Sequence, residues 1–423
     1  MSNNFDSNFT RKLAPIILDA FETKRELTKN VDTQLLDGRF STADCGDTVD
    51  FKRPTDYKSV RTAKGDISGS TASDIVTGKA SGVIQNYFTV FVDYSEADEA
   101  IKMHQKNELV DIPMMNRIVT DFEVDFAGFM MKNAGLLSGT VGTAVSTWTH
   151  VANAGATLES HGVPKDGQWA FGMNPFTQVA LAGTQRSLGV NPEAGSASKN
   201  ATITERFAGM NVLSSTALST FTTGAGADRN GTLSANPTVT YVGAKDTMTQ
   251  SLAVTGFQAN LVVAAGERIQ IAGRHRLNLN TRQPVLDATG ARVLWTGTVT
   301  SSVTLGASGE GTLTVTGPAI YEATGAYNTV DSAPVSGDVV TLLGSASTLI
   351  QPNLFWHKQA FSVGSVPIKK LYSTDTLATT KDGLQLRISK GAGFLENINK
   401  VRIDFRPAYA VMNPFFAGQA YGS

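Results

Sequence analysis

Residues 95–135 read SEADEAIKMHQKNELVDIPMMNRIVTDFEVDFAGFMMKNAG and contain the most regular helical pattern in the chain. Their apolar side chains recur at steps of three or four residues, which is typical of one stripe of an α-helix: Ile112, Met115, Val119, Phe122, Phe126 and Met130. Polar residues fill the positions between them: Asn116, Arg117, Asp121, Glu123 and Asp125. Pro113 is tolerated only near a helix start, and Gly135 is a usual helix terminator. The pattern predicts a short helix over residues 95–105 and a long one over 113–134, ~33 Å long at 1.5 Å per residue.

The composition describes a folded protein of several domains without a strong charge bias. The chain has 423 residues, 41% hydrophobic and 17% charged, with a formal net charge of −1. That charge gives no electrostatic reason to expect nucleic-acid wrapping or membrane-surface binding. Cys45 is the only cysteine, so no intramolecular disulfide is possible and a reducing compartment fits best. No apolar run approaches the ~20 residues of a membrane span, and the first residues lack a secretory pattern.

The first 94 residues contain an ambiguous helical stretch and a long polar excursion. Residues 16–36 have a weak helical pattern, which fits either an arm with a distant apolar partner or a helix docked on its own domain. Residues 41–94 are predicted to form a two-stranded excursion, with strands at 48–51 and 83–92 around a Gly- and Ser-rich tip. Long loops of this kind are commonly functional. Its charged residues are predicted to contact a neighbouring subunit, the alternative being a solvated surface: Lys52, Arg53, Lys58, Arg61, Lys64 and Asp66.

The remaining sequence predicts a mixed α+β region interrupted by a β-rich insert. Helices are predicted at residues 147–160 and 176–186, strands at 168–173 and 206–214, and a loop at 189–202. Residues 222–347 lose the helical period, and six short β-prone runs predict a small barrel or sandwich: 238–242, 249–254, 268–271, 293–300, 311–315 and 339–343. A basic loop inside this insert is predicted to contact a neighbour through Arg274, Arg276, Arg282 and Arg292.

The sequence contains no convincing catalytic or metal-binding motif. Thr77-Gly78-Lys79-Ala80 resembles part of a phosphate-binding loop, but Ser73 replaces the required glycine and Ala80 offers no magnesium ligand. The five histidines have no metal-like spacing and no cysteine partners. We therefore predict a protein that is not an enzyme and needs neither a cofactor nor a metal ion.

Several motifs resemble those of tailed-phage major capsid proteins, and their order along the chain matches that family. They are MNPFTQVALAG (173–183), RFAGMNVLSS (206–215), PNLFWHKQAFSVGSVPI (352–368), LQLRISKGAGF (384–394) and VRIDFRPAYAVMNPFFAGQ (401–419). The chain is most similar to the coat proteins of short-tailed phages, which carry an inserted β-barrel domain in the Hong-Kong-phage-type capsid fold. The resemblance covers nearly the whole chain.

The resemblance implies an α+β capsid fold with seven segments. These are an N-terminal arm (1–40), an extended loop (41–94), the peripheral-domain spine helix (95–137), the first part of the axial domain (138–221), the inserted six-stranded barrel (222–347), the second axial part (348–385) and C-terminal strands of the peripheral domain (386–423). In this fold the extended loop lies over the adjacent subunit. The stripe of the spine helix packs on its own domain, and the side from Asn116 to Glu123 faces the shell interior or a neighbour.

The resemblance also implies a function in virion assembly. Family members form hexamers and pentamers, assemble on a scaffolding protein with a portal protein, and expand as double-stranded DNA is packaged. The shell is expected to enclose DNA without sequence-specific binding, to form in the host bacterial cytoplasm and to involve no membrane. Two alternatives remain: a carbohydrate-binding tail or adhesin protein, suggested by the Ser/Thr/Gly-rich insert, and an encapsulin-like compartment shell.

Overall fold

The computed structural model describes residues 6–33, 48–53, 57, 59–70, 75–95, 107–187, 192–323, 325–372, 375–393 and 398–423. The chain divides into two compact units, each assembled from separate segments. Unit 1 comprises Met1–Val49, Gly82–Ala127 and Phe361–Ala410, and unit 2 comprises Asp50–Ser81, Gly128–Ala360 and Val411–Ser423. The predicted short helix at residues 95–105 falls almost entirely outside the described residues.

Unit 1 is built on an antiparallel sheet with the strand order β20-β21-β22-β3. The strands are β3 (Phe88–Ser95), β20 (Thr376–Thr379), β21 (Gln385–Gly393) and β22 (Ile398–Phe405). Helix α1 (Asp6–Lys24) contacts β20 and β21. Its Phe21 ring lies 5.4 Å from the Phe405 ring, so this helix is docked on its own unit rather than extended away from it.

The long helix predicted at residues 113–134 is α2 (Ile112–Asn133), preceded by a π-helical turn at Asn107–Asp111. Within unit 1 its stripe contacts aromatic residues of α1 and β22. The Phe122 ring lies 4.9 Å from Phe405 and 6.3 Å from Phe21. Met115, Val119, Phe122, Phe126 and Met130 are buried, and Ile112 is half-buried.

The base of the extended loop is formed by β1 (Thr48–Lys52) and β2 (Lys79–Ile84), which belong to a sheet of order β1-β2-β23-β19. The other two strands are β19 (Phe361–Ser365) and β23 (Pro407–Val411). The single strand predicted at residues 83–92 is wrong: β2 ends at Ile84 and β3 begins at Phe88. Gln85 follows the last residue of β2, and its amide donates to the carbonyl of Pro407, 2.9 Å away.

Unit 2 contains a six-stranded mixed sheet of order β4-β24-β18-β5-β7-β6. Its strands are β4 (Leu136–Ser138), β5 (Trp169–Met173), β6 (Arg206–Phe207), β7 (Met210–Ser214), β18 (Asn353–His357) and β24 (Ala417–Ala420). Every residue of β5, β18 and β24 is buried, which explains their almost continuous apolar sequences. Since β24 belongs to this sheet, residues 386–423 are divided between the two units and do not form one group of strands.

The helices of this part of unit 2 are α3 (Trp148–Ser160), α4 (Pro175–Ser187) and α5 (Pro192–Asn200). The loop predicted at residues 189–202 is therefore wrong. Helix α5 lacks an apolar stripe but starts with proline and packs against α4, which stabilises it through tertiary contact. The strand predicted at residues 206–214 is a hairpin, because Ala208 and Gly209 both have positive φ.

The β-rich insert is a closed six-stranded barrel, as the sequence predicts, of order β10-β15-β13-β12-β16-β9. Its strands are β9 (Asn230–Leu233), β10 (Thr249–Thr255), β12 (Arg268–His275), β13 (Leu294–Val299), β15 (Gly311–Thr316) and β16 (Val339–Leu342). The strand predicted at 238–242 is wrong: those residues lead into a helical turn, α6 (Tyr241–Ala244). A two-stranded ladder, β11 (Val262–Val263) with β14 (Val303–Thr304), flanks the barrel.

The chain enters and leaves the insert through paired strands. Strand β8 (Phe221–Thr222) is antiparallel to β17 (Leu349–Ile350). The barrel has its own buried cluster, which includes Leu252, Ile269, Trp295, Leu313 and Val340. The rest of unit 2 has a separate cluster around Phe171 and Phe355. The insert thus has the two features expected of an inserted domain, adjacent ends and a core of its own.

Candidate assembly surfaces

Arg53, one of the predicted contact residues of the extended loop, is buried at the loop base. Its Nε donates to the carbonyl of Lys79 (3.0 Å) and its Nη2 to the carbonyl of Val411 (3.1 Å). Its Nη1 also donates to the carbonyl of Met412. Burial lowers the pKa of the guanidinium to about 10. Since its donors are satisfied inside the subunit, the prediction that Arg53 contacts a neighbour is not supported; it is a structural residue.

The other described charged residues of the loop lie on its surface. Lys52, Arg61, Lys64 and Asp66 are exposed, and Lys58 lies outside the described residues. The carboxylate of Asp66 accepts a hydrogen bond from the amide of Ser68 (3.0 Å), which lowers its pKa. In the described part of the chain, Arg61 and Lys64 form no salt bridge. The structure therefore leaves their charges available to a partner, and their role in subunit contact stays a prediction.

The four arginines predicted to form a contact surface on the barrel lie in different environments. Arg274 binds Asp338 through two hydrogen bonds (2.7 and 2.8 Å), which raises the pKa of the guanidinium. Arg276 is buried, and Arg282 donates to the carbonyl of Asn328 (2.8 Å). Arg292 is largely exposed and lies 3.3 Å from Asp331. The prediction is thus wrong for Arg276, and Arg292 is the arginine of this set most accessible to a partner.

In the basic loop of the barrel, residues 278–280 contact the turn that follows α3 in the same unit. Asn278 Nδ2 donates to the carbonyl of Ser160 (2.8 Å), and Asn280 Nδ2 donates to the carbonyl of Gly162 (2.9 Å). The amide of Leu279 donates to the carbonyl of His161 (3.1 Å). Three hydrogen bonds therefore attach the barrel to the α/β part of unit 2. The sequence does not reveal them because asparagines in a polar loop also fit a solvated surface.

Two barrel arginines occupy the C-terminal end of α2. Arg268 donates to the carbonyls of Ala134 (2.8 Å) and Gly135 (3.1 Å), and Arg276 donates to the same Gly135 carbonyl (2.9 Å). Both also donate to Thr296 Oγ1, 2.9 Å from each. Carbonyls that end a helix lack intrahelical donors and carry partial negative charge. The two guanidiniums therefore hold the backbone that directly follows α2, and their burial lowers the pKa of each to about 9.

Glu123 does not lie on the polar surface that the sequence pattern predicts. Its carboxylate accepts hydrogen bonds from the amides of Leu27 (2.8 Å) and Thr28 (3.2 Å) and from the Thr28 hydroxyl. Burial raises its pKa, opposed by these hydrogen bonds. The side of α2 predicted to face outwards thus fixes the segment after α1 instead. Arg117 and Asp121 remain on the surface as an i,i+4 ion pair.

His161 is buried beside the Asn278–Asn280 contact. Its Nδ1 lies 2.7 Å from the carbonyl of Thr157 and donates to it. Burial, together with the charge of Arg276, lowers its pKa from 6.5 to about 3. Native His161 is therefore neutral over most of the acidic range, whereas the unfolded chain binds a proton below about pH 6.5.

The free energy of unfolding should fall as the pH drops from about 6.5 towards 3, by ~1.4 kcal/mol per pH unit from His161 alone. His161→Gln should remove this contribution, because glutamine does not titrate. Urea unfolding of the unassembled subunit at several pH values measures the slope. An unchanged slope in His161→Gln would contradict the assignment.

The described residues contain no group of three or more side chains that could hold a metal ion. No described helix is long and apolar enough to cross a membrane.

Comparisons with known proteins give matches that extend over the whole chain. The family model for P22 coat protein (gene protein 5) matches residues 1–422. A major capsid protein of Acyrthosiphon pisum secondary endosymbiont phage 1 is 33% identical over 429 residues and covers 100% of both chains.

Similar solved structures include the capsid of Ralstonia phage GP4 and the capsid of cyanophage P-SCSP1u. The first has a TM-score of 0.43 at 10% identity and covers 93% of this chain and 87% of that chain. The second has a TM-score of 0.42 at 11% identity and covers 90% of this chain and 85% of that chain.

Proposed function

Because this chain belongs to the P22 coat protein family and is a tailed-phage major capsid protein, we propose that it self-assembles as hexamers and pentamers into an icosahedral shell around double-stranded DNA. The observation that carries the proposal is the sequence similarity over the entire length of the chain. The proposal includes the Hong-Kong-phage-type arrangement, with a peripheral domain corresponding to unit 1 and an axial domain within unit 2. This similarity favours a shell protein of a virion over an adhesin or an encapsulin-like compartment.

The proposed shell forms on a scaffolding protein in the host bacterial cytoplasm, incorporates a portal protein and expands as DNA enters. DNA is retained by enclosure, in keeping with the formal net charge of −1. Co-expression of the chain with a scaffolding protein, followed by electron microscopy, tests the proposal. Closed particles of uniform diameter are expected. Only monomers or trimers under all assembly conditions would refute it.

Within the shell, we assign the contact with the adjacent subunit to the exposed residues of the extended loop. Lys52, Arg61, Lys64 and Asp66 are exposed, and Arg53 holds the loop base from inside. Charges at such a contact change association far more than the stability of the free subunit. On the barrel, Arg292 is the arginine assigned to a contact with a neighbour.

The double substitution Arg61→Ala/Lys64→Ala should reduce the yield of particles at least several-fold at physiological salt. The melting temperature of the unassembled subunit should change by less than about 2 °C, because exposed surface substitutions are usually nearly neutral for stability. Sedimentation of assembly reactions and thermal melting of the free subunit measure the two effects. The charge-preserving variant Arg61→Lys/Lys64→Arg is the control and should assemble normally. Equal losses of yield and subunit stability would place these side chains in intramolecular contacts.

A further inference from the structure

The returning limb of the extended loop, residues 76–79 at the start of β2, contacts the barrel of its own chain. Val76 packs against a small cluster formed by Tyr241, Ala244, Met248 and Ile320. The rings of Tyr241 and Tyr327 are stacked with centroids 3.7 Å apart and an interplanar angle of 5°. Tyr327 Oη donates to the carbonyl of Val76 (3.3 Å). A pair of stacked tyrosines from the insert therefore packs against this limb.

Polar contacts hold the other three residues of this limb, Thr77, Gly78 and Lys79. The amide of Lys79 donates to Asp246 Oδ1 (3.2 Å), and Lys245 Nζ donates to the carbonyl of Thr77 (3.4 Å). On its other side, the carbonyl of Gly78 accepts a hydrogen bond from the amide of Arg53 (2.8 Å), at the end of the outgoing strand. The limb is thus held between the outgoing strand and the barrel.

Gly78 is required by the close approach of the two backbones. A Cβ atom at this position would lie 2.5 Å from the carbonyl oxygen of Lys245 and 3.0 Å from Tyr241 Oη. The first of these atoms belongs to backbone, so it cannot move aside as a flexible side chain would. The sequence Thr77-Gly78-Lys79, which resembles part of a phosphate-binding loop, is therefore explained by docking on the barrel.

We infer that the inserted barrel anchors the extended loop, with α6, Asp246 and Tyr327 holding residues 76–79 and setting the direction in which the loop leaves the subunit. The inference rests on the proposed function of the loop as a contact with an adjacent subunit. Under it, the anchoring residues of the barrel influence the contact between the loop and the adjacent subunit from within their own chain, because they restrict the orientations of the loop before assembly. Less entropy is then lost when the loop orders on its partner.

Gly78→Ala tests the anchor in the free subunit. Hydrogen exchange, followed by mass spectrometry on peptides covering residues 75–80, should be accelerated at least about tenfold. Exchange in the barrel core around Leu313 should remain at the wild-type rate. The matched control is Gly69→Ala in the same loop, because a Cβ at Gly69 meets nothing within 4 Å and its φ is not positive. Wild-type exchange at residues 75–80 in Gly78→Ala would overturn the anchor.

A second variant covers the case in which Gly78→Ala fails to fold. Tyr327→Phe removes the hydrogen bond to the Val76 carbonyl and keeps the ring, and a smaller acceleration confined to residues 75–80 is expected. Unchanged exchange in this variant would also count against the anchor.

Assembly of the same variants separates this inference from the proposed function. Gly78→Ala should give fewer particles or a wider spread of diameters, while Gly69→Ala assembles as the wild type does. Faster loop exchange combined with normal particles would overturn the orienting role and leave the shell function standing. Failure of the wild-type chain to form particles would refute the shell function, whereas the exchange data would still report on the anchor.

Discussion

Replacing both Arg268 and Arg276 with Met should lower the free energy of unfolding of the free subunit by about 5–6 kcal/mol, against about 2 kcal/mol for each single variant. The two guanidiniums donate to the same Gly135 carbonyl, at 3.1 and 2.9 Å, and to the same Thr296 hydroxyl. Each single variant leaves one donor at these acceptors. The double variant leaves the buried Gly135 carbonyl without an arginine donor, so the loss should exceed the sum of the single losses.

Urea unfolding of the wild type, both single variants and the double variant measures the four free energies of unfolding that this double-mutant cycle requires. Arg292→Met is the matched control, because it deletes the same group from a side chain that is 55% exposed and lies 3.3 Å from Asp331. Its effect should stay within about 1 kcal/mol, as for other exposed ion pairs. A double loss equal to or smaller than the sum would mean that repulsion between the two guanidiniums outweighs their shared hydrogen bonds to Gly135 and Thr296.

Replacing Glu123 with Ala should cost about 3–5 kcal/mol and release the segment that follows α1. The substitution leaves the amides of Leu27 and Thr28, 2.8 and 3.2 Å from the carboxylate, without their acceptor in a buried position. An unsatisfied buried donor costs about 1–3 kcal/mol, and the deleted side chain leaves a cavity. The neighbouring pair Arg25–Asp382 (2.9 Å) would then hold this segment with less support.

Chemical denaturation gives the stability change of Glu123→Ala, and limited trypsin digestion after Lys24 or Arg25 reports release of the segment. Asp121→Ala on the same helix is the control, because the ion-pair partner of Asp121 among the described residues is the exposed Arg117. This variant should lose less than about 0.5 kcal/mol and keep the wild-type cleavage rate. If Glu123→Ala kept the wild-type stability and cleavage rate, Glu123 would not hold the segment after α1 and would be a surface residue, as its sequence position suggests.

Local sequence patterns predict the elements that bury one face, whereas partners from distant parts of the chain leave no such pattern. The stripe of α2 and five of the six barrel strands follow from periods of 3.6 and 2 in the sequence, because burial of one face imposes those periods. Strand β9 has no such pattern, since it is four residues long and contains Gly231. That glycine is needed because a Cβ there would lie 2.4 Å from the ring of Phe257.

The candidate surfaces were harder to predict because charge alone does not reveal burial. Arg53, Glu123 and Arg276 look like surface residues in sequence, yet each is buried against backbone groups far away in the chain. Arg53 binds carbonyls at positions 79, 411 and 412, and Glu123 binds amides at positions 27 and 28. Such partners become visible only when the fold brings distant segments together, whereas exposed residues such as Arg61 keep the local character that the sequence indicates.

The position of β24 constrains the order in which a newly synthesised chain can fold. Residues 417–420 lie between β4 and β18, so the six-stranded sheet lacks an inner strand until those residues have been synthesised. The barrel ends at Leu342 and is complete about 80 residues earlier. At typical synthesis rates this gap lasts about 4–16 s. From the synthesis of β18 until that of β24, β4 and β18 both expose unpaired edges, so a nascent subunit carries a finished barrel beside an open sheet that is prone to wrong pairing.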